Sequence, residues 1–587
     1  MDSAASRAPP ADAPFTFSRS EKVFTLLGAL LGMLLAALDQ TIVATAGPAI
    51  QAHLGIPASL YPWITTSYLV ASTVMVPLWG KLSDQFGRRT ILVTGILIFL
   101  GGSFLCGAAW GTVPLILFRA VQGLGSAALF TSAFAVVADL FPPAERGKYQ
   151  GLFGGVFGLS SVVGPLVGGF ITDAFGWHWV FFINLPVGVV ALAVIFLRMP
   201  ALRRPRAAPP RLDLAGVACL VVAVVPLLLA LSLGRGHAAA GEPGFSWSSW
   251  QVLGLFAVSL VGAVLFVLVE AQADEPLLDL KLFQEKTFAL GNAAVFVIGA
   301  GFLSAFTFLP LFMVNVVGLS ATRSGLTIMP LTLGVVAGNV LSGQLASRLG
   351  RYKVLMLGAL GLLCVGFAVM GFTLAPDSTQ STVTAKMVLM GLGMGPTIPL
   401  YTLAIQNAVP PRQIGVATST TTFFRQLGST VGVALAGVVF ATVLSSQLHA
   451  RMEAVASGVP AELREHLPAG VPGLASEGGE GLAPGQVFRA AEVKARLHTA
   501  FEAQRKQAGQ GQGAATAEAG RARVDAAERE ASAAVDRMER ATKEAFTQAT
   551  SAVYRVAILV ALVALLLTAL LPERPLRRGP APPPPME

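Results

Sequence analysis

The chain has 587 residues, of which 54% are hydrophobic and 12% are charged, with a formal net charge of +9. Soluble domains carry about 25% charged residues, so this composition excludes an ordinary soluble globule. Apolar runs of about 20 residues, long enough for a helix to cross a bilayer, recur along most of the chain. The basic residues lie in the gaps between these runs, which predicts a polytopic helical membrane protein and argues against nucleic acid as a partner.

Fourteen apolar stretches, bounded by charged residues, Gly or Pro, are predicted to cross the membrane as helices and are numbered spans 1 to 14. Span 1 follows a polar segment, is too long for a signal peptide and lacks a small-residue cleavage site, so we predict that it stays uncleaved. The spans cover residues 23–47, 60–80, 91–110, 113–138, 149–172, 178–198, 213–233, 250–270, 287–314, 324–347, 353–375, 383–407, 414–445 and 552–571.

The distribution of Lys and Arg predicts the orientation of these spans. An even number of spans puts both termini on one side of the membrane, and on the other side the short gaps hold only Arg235, Arg323 and Lys386. The positive-inside rule therefore places both termini in the cytoplasm. The gaps on the terminal side hold Lys81, Arg88, Arg89, Arg146, Lys148, Arg198, Arg203, Arg204, Arg206, Arg211, Lys281, Lys286, Arg348, Arg351, Lys353 and Arg412.

An internal repeat relates the two ends of this array. The loop GKLSDQFGRRT from Gly80 matches GQLASRLGRYK from Gly343 at a shift of 263 residues. At a shift of 268, Gly147, Gly164 and Gly169 recur as Gly415, Gly432 and Gly437. Spans 1 to 6 thus map onto spans 9 to 14, with spans 7 and 8 inserted, which predicts two parallel six-helix bundles and a substrate site between them.

The segment between spans 13 and 14 mixes apolar and charged residues at helical spacing, with Gly509, Gly511 and Gly513 as a hinge. We predict an external helical hairpin there, and a flexible insert is the alternative. No motif supports binding of an accessory protein to it. The predicted organisation is a cytoplasmic tail (1–22), a first bundle (23–198), a basic linker (199–212), inserted spans 7 and 8 (213–270), a second bundle (287–571) interrupted by the extracytoplasmic loop (446–551), and a Pro-rich cytoplasmic tail (572–587).

Two ionisable residues lie inside apolar runs of the first bundle: Asp39 in LDQTIVATAGP of span 1 and Arg119 in LFRAVQGLGSA of span 4. A charge at bilayer depth costs several kcal/mol, so it normally faces the protein interior. We predict that Arg119 pairs with Asp39, and the alternative is that Arg119 extends to the membrane interface. Met387 occupies the position of Arg119 in the second half, so the pair should belong to the first half alone.

The loop after span 2 carries Asp84 and Arg88, which would face each other on a helix because they are four residues apart. Its plainer interpretation is a topology-setting loop, and Ser347 replaces Asp84 in the second copy. Span 5 is rich in glycine, which permits close helix packing, and its proline bends the helix. The motif residues of span 5 are Gly164, Pro165, Gly168 and Gly169, and the polar side chains expected in a substrate cavity are Gln122, Asn339, Tyr401, Gln406 and Arg425.

Together these motifs resemble the major facilitator superfamily, in particular its fourteen-span drug/proton antiporter group. The resemblance covers nearly all of residues 20–445 and the last span, and it includes RLDLAG, SGLTIMP and FFRQLGSTVG in spans 7, 10 and 13. It implies the major facilitator fold, an all-α membrane protein with two inserted helices. It also implies proton coupling at Asp39 and Arg119, and export by antiport from the GPLVGG pattern of span 5. The gating loop that it implies consists of Gly80, Asp84, Gly87 and Arg88.

The expected function is multidrug efflux: a proton-coupled antiporter in the cytoplasmic (inner) membrane that exports lipophilic small molecules by alternating access. Its expected partners are the substrate, protons and membrane lipid, and no cofactor is expected because a proton gradient would drive transport. The sequence shows no GxSxG, HExxH or Walker loop and no metal-ligand spacing, so an enzyme is not expected. Two alternatives stay open: a dedicated exporter of one metabolite or antibiotic, and a membrane sensor or scaffold that acts through the hairpin.

Overall fold

The computed structural model describes residues 17–57, 60–61, 63–200, 213–235, 245–319, 328–457, 490–508 and 514–576. Most of these residues are helical, and a two-residue strand β1 (Gly234–Arg235) pairs in parallel with β2 (Phe245–Ser246). Short 3₁₀ helices cover Leu280–Gln284 and Pro411–Gln413. The α-helices are α1 (Arg19–Leu54), α2 (Trp63–Phe86), α3 (Arg88–Gly107), α4 (Thr112–Leu140), α5 (Pro143–Phe175), α6 (Trp179–Phe182), α7 (Asn184–Arg198), α8 (Leu214–Leu233), α9 (Trp250–Gln272), α10 (Lys286–Asn315), α11 (Met329–Leu349), α12 (Lys353–Thr373), α13 (Gln380–Met394), α14 (Thr397–Ala408), α15 (Ile414–Ser457), α16 (Ala490–Ala508) and α17 (Ala514–Leu570).

Several predicted features lie outside the described residues. They are the tail up to residue 16, the linker over 201–212, Arg323 with the start of span 10, the hinge glycines Gly509, Gly511 and Gly513, and the tail from residue 577.

Thirteen helical segments within the described ranges are long and apolar enough to cross a membrane. The helix α2, in the place of span 2, has 24 residues but is not among them, so the count of fourteen stays a prediction. Predicted span 12 lies in one candidate span, Gln380–Ala408, but its helix is interrupted, so that it consists of α13 and α14 and not of the single helix expected. The break falls at Gly395 and Pro396, because proline has no backbone N–H to continue the helical ladder.

The two halves repeat the same helix packing. In the first half α1 packs against α5, and α4 packs against α2 and α3; in the second half α10 packs against α15, and α13 packs against α11 and α12. These contacts correspond under the internal repeat, since spans 1, 2, 3, 4 and 5 map onto spans 9, 10, 11, 12 and 13. The chain therefore forms two bundles of related architecture, with α8 and α9 packed on each other and α8 beside α2.

The two bundles meet where α2 crosses α15 and where α5 crosses α11. At the first crossing a Cβ atom on Gly80 would come 2.8 Å from the carbonyl oxygen of Gly415. At the second a Cβ atom on Gly343 would overlap the carbonyl oxygen of Gly147. The repeat relates Gly80 to Gly343 and Gly147 to Gly415, so the two crossings are copies of one contact, in which only glycine lets the backbones approach this closely.

The segment between spans 13 and 14 is largely helical where it is described. The helix α15 continues to Ser457, and the 57-residue helix α17 packs its first part against α16 and the end of α15. Met452, Phe501, Val535 and Met538 are buried in this contact. Both helices therefore extend beyond the predicted span ends at 445 and 552, because neither Gly nor Pro interrupts the chain at these points. The location of this hairpin outside the membrane stays a prediction.

We expect Gly343→Ala to separate α5 from α11, because the added methyl group would overlap the carbonyl oxygen of Gly147. That oxygen belongs to the backbone of α5, so it can move away only if α5 itself moves. Spin labels on exposed Lys148 and Arg351, with the native cysteines replaced, should report a longer distance. Gly361→Ala is the matched control, since a Cβ atom there meets nothing within 4 Å. Equal label distances in both variants would contradict the glycine crossing.

Candidate functional site

Asp39 lies fully buried in α1, and its carboxylate accepts hydrogen bonds from two other helices. Oδ2 accepts from Nη1 of Arg119 at 2.7 Å, while Oδ1 accepts from Nε2 of Gln122 at 2.8 Å and from Nδ2 of Asn184 at 3.1 Å. Arg119 and Gln122 come from α4, and Asn184 begins α7. The acid predicted from span 1 thus holds three helices of the first bundle together through charge-assisted hydrogen bonds.

The Arg119 side chain is 1% exposed and points into the bundle. Its Nη1 also donates to Oε1 of Gln122 at 2.7 Å, and its Nε donates to the carbonyl oxygen of Ile64 at 3.1 Å. The guanidinium lies 4.3 Å from the ring centroid of Tyr68, whose hydroxyl donates to Ser126 at 2.6 Å. The structure therefore places Arg119 beside Asp39 in the interior of the bundle, as predicted.

Asn184 is a member of this site that the sequence did not reveal. Its amide donates to Asp39 and also to Oγ of Ser103 at 3.0 Å, and Ser103 donates in turn to the carbonyl oxygen of Phe181 at 2.9 Å. The available signal was an amide inside the apolar run FFINLPVGVV. Hydropathy does not show which face of a span such an amide occupies, so its link to Asp39 required the structure.

The glycines of α5 pack against the helix that carries Asp39. A Cβ atom on Gly164 would overlap Oγ1 of Thr41, and one on Gly168 would lie 3.1 Å from the carbonyl oxygen of Ile42. A Cβ atom on Gly169 would meet nothing within 4 Å. Pro165 lies within the continuous helix. Of the motif's glycines, Gly164 and Gly168 therefore form the contact with α1.

The loop between α2 and α3 forms a charged latch between the two bundles. Asp84 pairs with Arg88 at 2.6 Å, and Arg88 also pairs with Asp139 at the end of α4 at 2.7 Å. The Asp84 carboxylate accepts from the backbone N–H groups of Gly415 at 3.0 Å and Val416 at 2.9 Å. Those groups begin α15, where a helix N-terminus favours negative charge, so Asp84 ties the first bundle to the second.

The sequence predicted Gly87 as part of this latch but did not predict Asp139. Gly87 has φ +90°, a backbone conformation that favours glycine, which explains its place in the motif. Asp139 was not predicted, because an acid near the end of a span and before Pro142 looks like an interfacial charge. Its side chain is 2% exposed and belongs to the latch.

The five residues predicted for a substrate cavity come from both bundles and make separate contacts. Gln122 belongs to the Asp39 site, and Tyr401 is hydrogen-bonded to Thr568 inside the second bundle. Gln406 links the bundles: its Oε1 accepts from Gln150 of α5 at 2.9 Å, and its Nε2 donates to Thr418 at 2.9 Å. The buried amide of Asn339 lies against Gly154 of α5, and Arg425 lies in α15.

Two repeat-related helical bundles, a buried ion pair in one of them and a latch between them define a membrane transporter. Residues 29–433 match the model of the Major Facilitator Superfamily. The chain therefore belongs to the Major Facilitator Superfamily.

Named relatives support this assignment. The chain is 41% identical over 421 residues to the multidrug transporter protein MdtP of Bacillus subtilis, covering 72% of this chain and 76% of the relative. It is 32% identical to the tetracenomycin C resistance and export protein of Streptomyces glaucescens, over 71% of this chain and 76% of the relative. Among solved structures, the human organic anion transporter MFSD10 matches with a TM-score of 0.53 at 17% identity, over 71% of this chain and 94% of that chain, which shows the shared fold alone.

We expect Asn184→Ala to lower the thermal unfolding midpoint of the purified protein. The variant removes one donor from a buried carboxylate, and a hydrogen bond to a charged group contributes about 1.5–3 kcal/mol. Asn315→Ala is the control, because within the described residues that amide donates only to the carbonyl oxygen of Leu311 in its own helix. A midpoint that falls equally in both variants would count against a special role for Asn184.

We expect Asp84→Asn to open the latched end of the transporter. It removes the charge that pairs with Arg88 and that stabilises the start of α15, a loss of roughly 1–2 kcal/mol. The same labels on Lys148 and Arg351 should show a larger population at long distance. Ser347→Ala alters the repeat-related position, which has no carboxylate, and should leave the distances unchanged; the latch model fails if the two variants behave alike.

Proposed function

We propose that the protein is a proton-coupled antiporter that exports lipophilic small molecules across the cytoplasmic membrane by alternating access. The observation that carries this proposal is the buried pair of Asp39 and Arg119, 2.7 Å apart and 0% and 1% exposed. An arginine keeps its charge at any accessible pH, so the carboxylate is the member of the pair that can gain and lose a proton. Asp39 is therefore the proposed proton-carrying group.

Protonation of Asp39 changes the forces on three helices at once. The neutral acid holds Arg119 and Gln122 of α4 and Asn184 of α7 less strongly than the carboxylate does. It also lies in the part of α1 that packs on Gly164 and Gly168 of α5. A changed fit in this region can move α5 relative to α1.

The helix α5 connects the Asp39 site to the interface between the bundles. The same helix carries Gly147, which crosses Gly343 of α11, and Gln150, which donates to Gln406 of α14. A movement of α5 therefore acts on both contacts. The described conformation is closed at this end by these contacts and by the Asp84 latch, and the predicted topology places this end on the cytoplasmic side. A proton that enters Asp39 from outside and leaves to the cytoplasm would drive the return between the two conformations.

The substrate class is proposed from the relatives, which include a multidrug transporter and a tetracenomycin C resistance and export protein. A multidrug transporter and an antibiotic export protein among the relatives support transport of drug-like compounds by this chain. The second relative favours one alternative, a dedicated exporter of a single antibiotic or metabolite. A panel of unrelated lipophilic dyes and antibiotics in everted vesicles would separate the two, because a dedicated exporter would move only one chemical family.

The proposed function is tested by dye efflux in proteoliposomes with and without an imposed pH gradient. We expect the wild-type protein to move dye uphill only with the gradient and Asp39→Asn to lose uphill transport. Removing one member of a buried pair costs about 3–5 kcal/mol, so Asp39→Glu, which keeps the charge, serves as the folded comparison and should retain part of the activity. Asp377→Asn, at an exposed acid between α12 and α13, should transport like the wild type.

Gradient-driven efflux by Asp39→Asn at the wild-type rate would rule out Asp39 as the proton-carrying group. Dye efflux that does not respond to the gradient in the wild-type protein would rule out proton coupling itself.

A further inference from the structure

Arg425 is a cation deep in α15 whose side chain makes no hydrogen bond or ion pair with the described part of the chain. It lies eleven residues after Ile414, roughly 17 Å along the helix at 1.5 Å per residue. The buried arginines of the first bundle are different: Arg88 and Arg119 pair with acids, and Arg146 donates to the carbonyl oxygens of Phe141 and Ala138. Arg425 is therefore a charge that the fold leaves unbalanced.

The sequence offers Arg425 no acid in its own bundle. From Thr287 to Met452 the only Asp or Glu is Asp377, which lies in the connection between α12 and α13, and none occurs between Glu544 and Glu573. In the first bundle the deep carboxylate of Asp39 is already held by three donors. Since an uncompensated charge at bilayer depth costs several kcal/mol, a negative charge from outside the chain would stabilise this arginine.

The surroundings of Arg425 place it at the contact between α15 and α10. A Cβ atom on Gly299 of α10 would overlap the Arg425 carbonyl oxygen, and the neighbouring Gln426 has a buried Oε1 without a hydrogen-bond partner in the described chain. By the repeat, this contact is the counterpart of the one between α1 and α5 beside Asp39. The first half carries the ion pair of Asp39 and Arg119 between α1 and α4, next to this contact. The second half carries Arg425 on α15, and no acid of the described chain pairs with it.

We infer that Arg425 binds an anionic group of the transported substrate, so that the substrates include lipophilic organic anions such as aromatic carboxylates. This inference rests on the proposed function and adds the charge of its substrate. A guanidinium offers a planar pair of donors that matches a carboxylate, and the bound anion supplies the missing counter-charge. An aromatic body suits this part of α15 because Phe423 and Phe424 directly precede Arg425.

The inference also sets the electrical balance of transport. If one proton enters for each organic anion that leaves, two positive charges move inward per cycle. An inside-negative membrane potential then drives export together with the pH gradient. Export of a neutral compound by the same cycle moves one charge and should respond less steeply to an imposed potential.

The test is equilibrium binding of 2-naphthoate and of its uncharged methyl ester to the full chain in nanodiscs at neutral pH. We expect the wild-type protein to bind the carboxylate more tightly than the ester, and Arg425→Gln to lose about tenfold or more of the carboxylate affinity while the ester binds as before. Arg425→Lys should retain part of the carboxylate affinity. Arg555→Gln removes an arginine that donates to the carbonyl oxygen of Gly371, and it should not change the affinity for either ligand.

Equal affinities for acid and ester in the wild type, or an unchanged carboxylate affinity in Arg425→Gln, would overturn the inference. Unchanged ester binding shows that the variant is folded. The measurements are repeated in gluconate and in chloride buffer: if physiological chloride fully displaces the carboxylate, the site belongs to an inorganic anion and the inference is wrong.

A transport assay distinguishes failure of this inference from failure of the proposed function. In proteoliposomes with a pH gradient, Arg425→Gln should still export the cationic dye ethidium but should lose export of 2-naphthoate. Retained export of 2-naphthoate by this variant would overturn the inference and leave proton-coupled efflux intact. Failure of the wild type to export either compound against a gradient would instead overturn the proposed function, whatever the binding data show.

Discussion

Charges inside a bilayer must be neutralised, and this constraint organises the protein. A single carboxylate on α1 meets an arginine and two amides from α4 and α7, so the cost of burying the acid is offset by bonds that fix the relative positions of three helices. Gain of a proton weakens all three bonds together. The group that is most expensive to bury is thus also the group through which a change of protonation can act on the packing of the bundle.

The interface between the bundles combines a symmetric contact with an asymmetric one. The glycine crossings follow the internal repeat, because each half presents glycine at the same positions of its second and fifth spans. The acidic latch does not follow it, because Asp84 has only Ser347 as its counterpart. The close backbone contact is therefore shared by the two halves, whereas the acidic side chain that ties the bundles together at the latch comes from one of them.

The sequence revealed the charged residues that interrupt apolar runs and the internal repeat. Asp39 and Arg119 were visible as charges in apolar runs, and the repeat predicted two bundles of related packing. Asn184 and Asp139 were not, since an amide or a terminal acid in a span is unremarkable until its neighbour across the bundle is known. The ends of α15 and α17 were also missed: hydropathy ends where the apolar residues end, whereas backbone hydrogen bonding continues until Gly, Pro or a cap stops it.

The unbroken course of α17 gives the last span a mechanical property. At 1.5 Å per residue, its 57 residues form a rod of roughly 85 Å, nearly three times the thickness of the hydrocarbon core. The end that packs on α16 and the end that packs on α12 and α10 cannot turn independently, because no loop or proline lies between them. A tilt of about 10° in the apolar part of this rod displaces its far tip by roughly 10 Å, so small motions of the second bundle are amplified where α17 packs on α16.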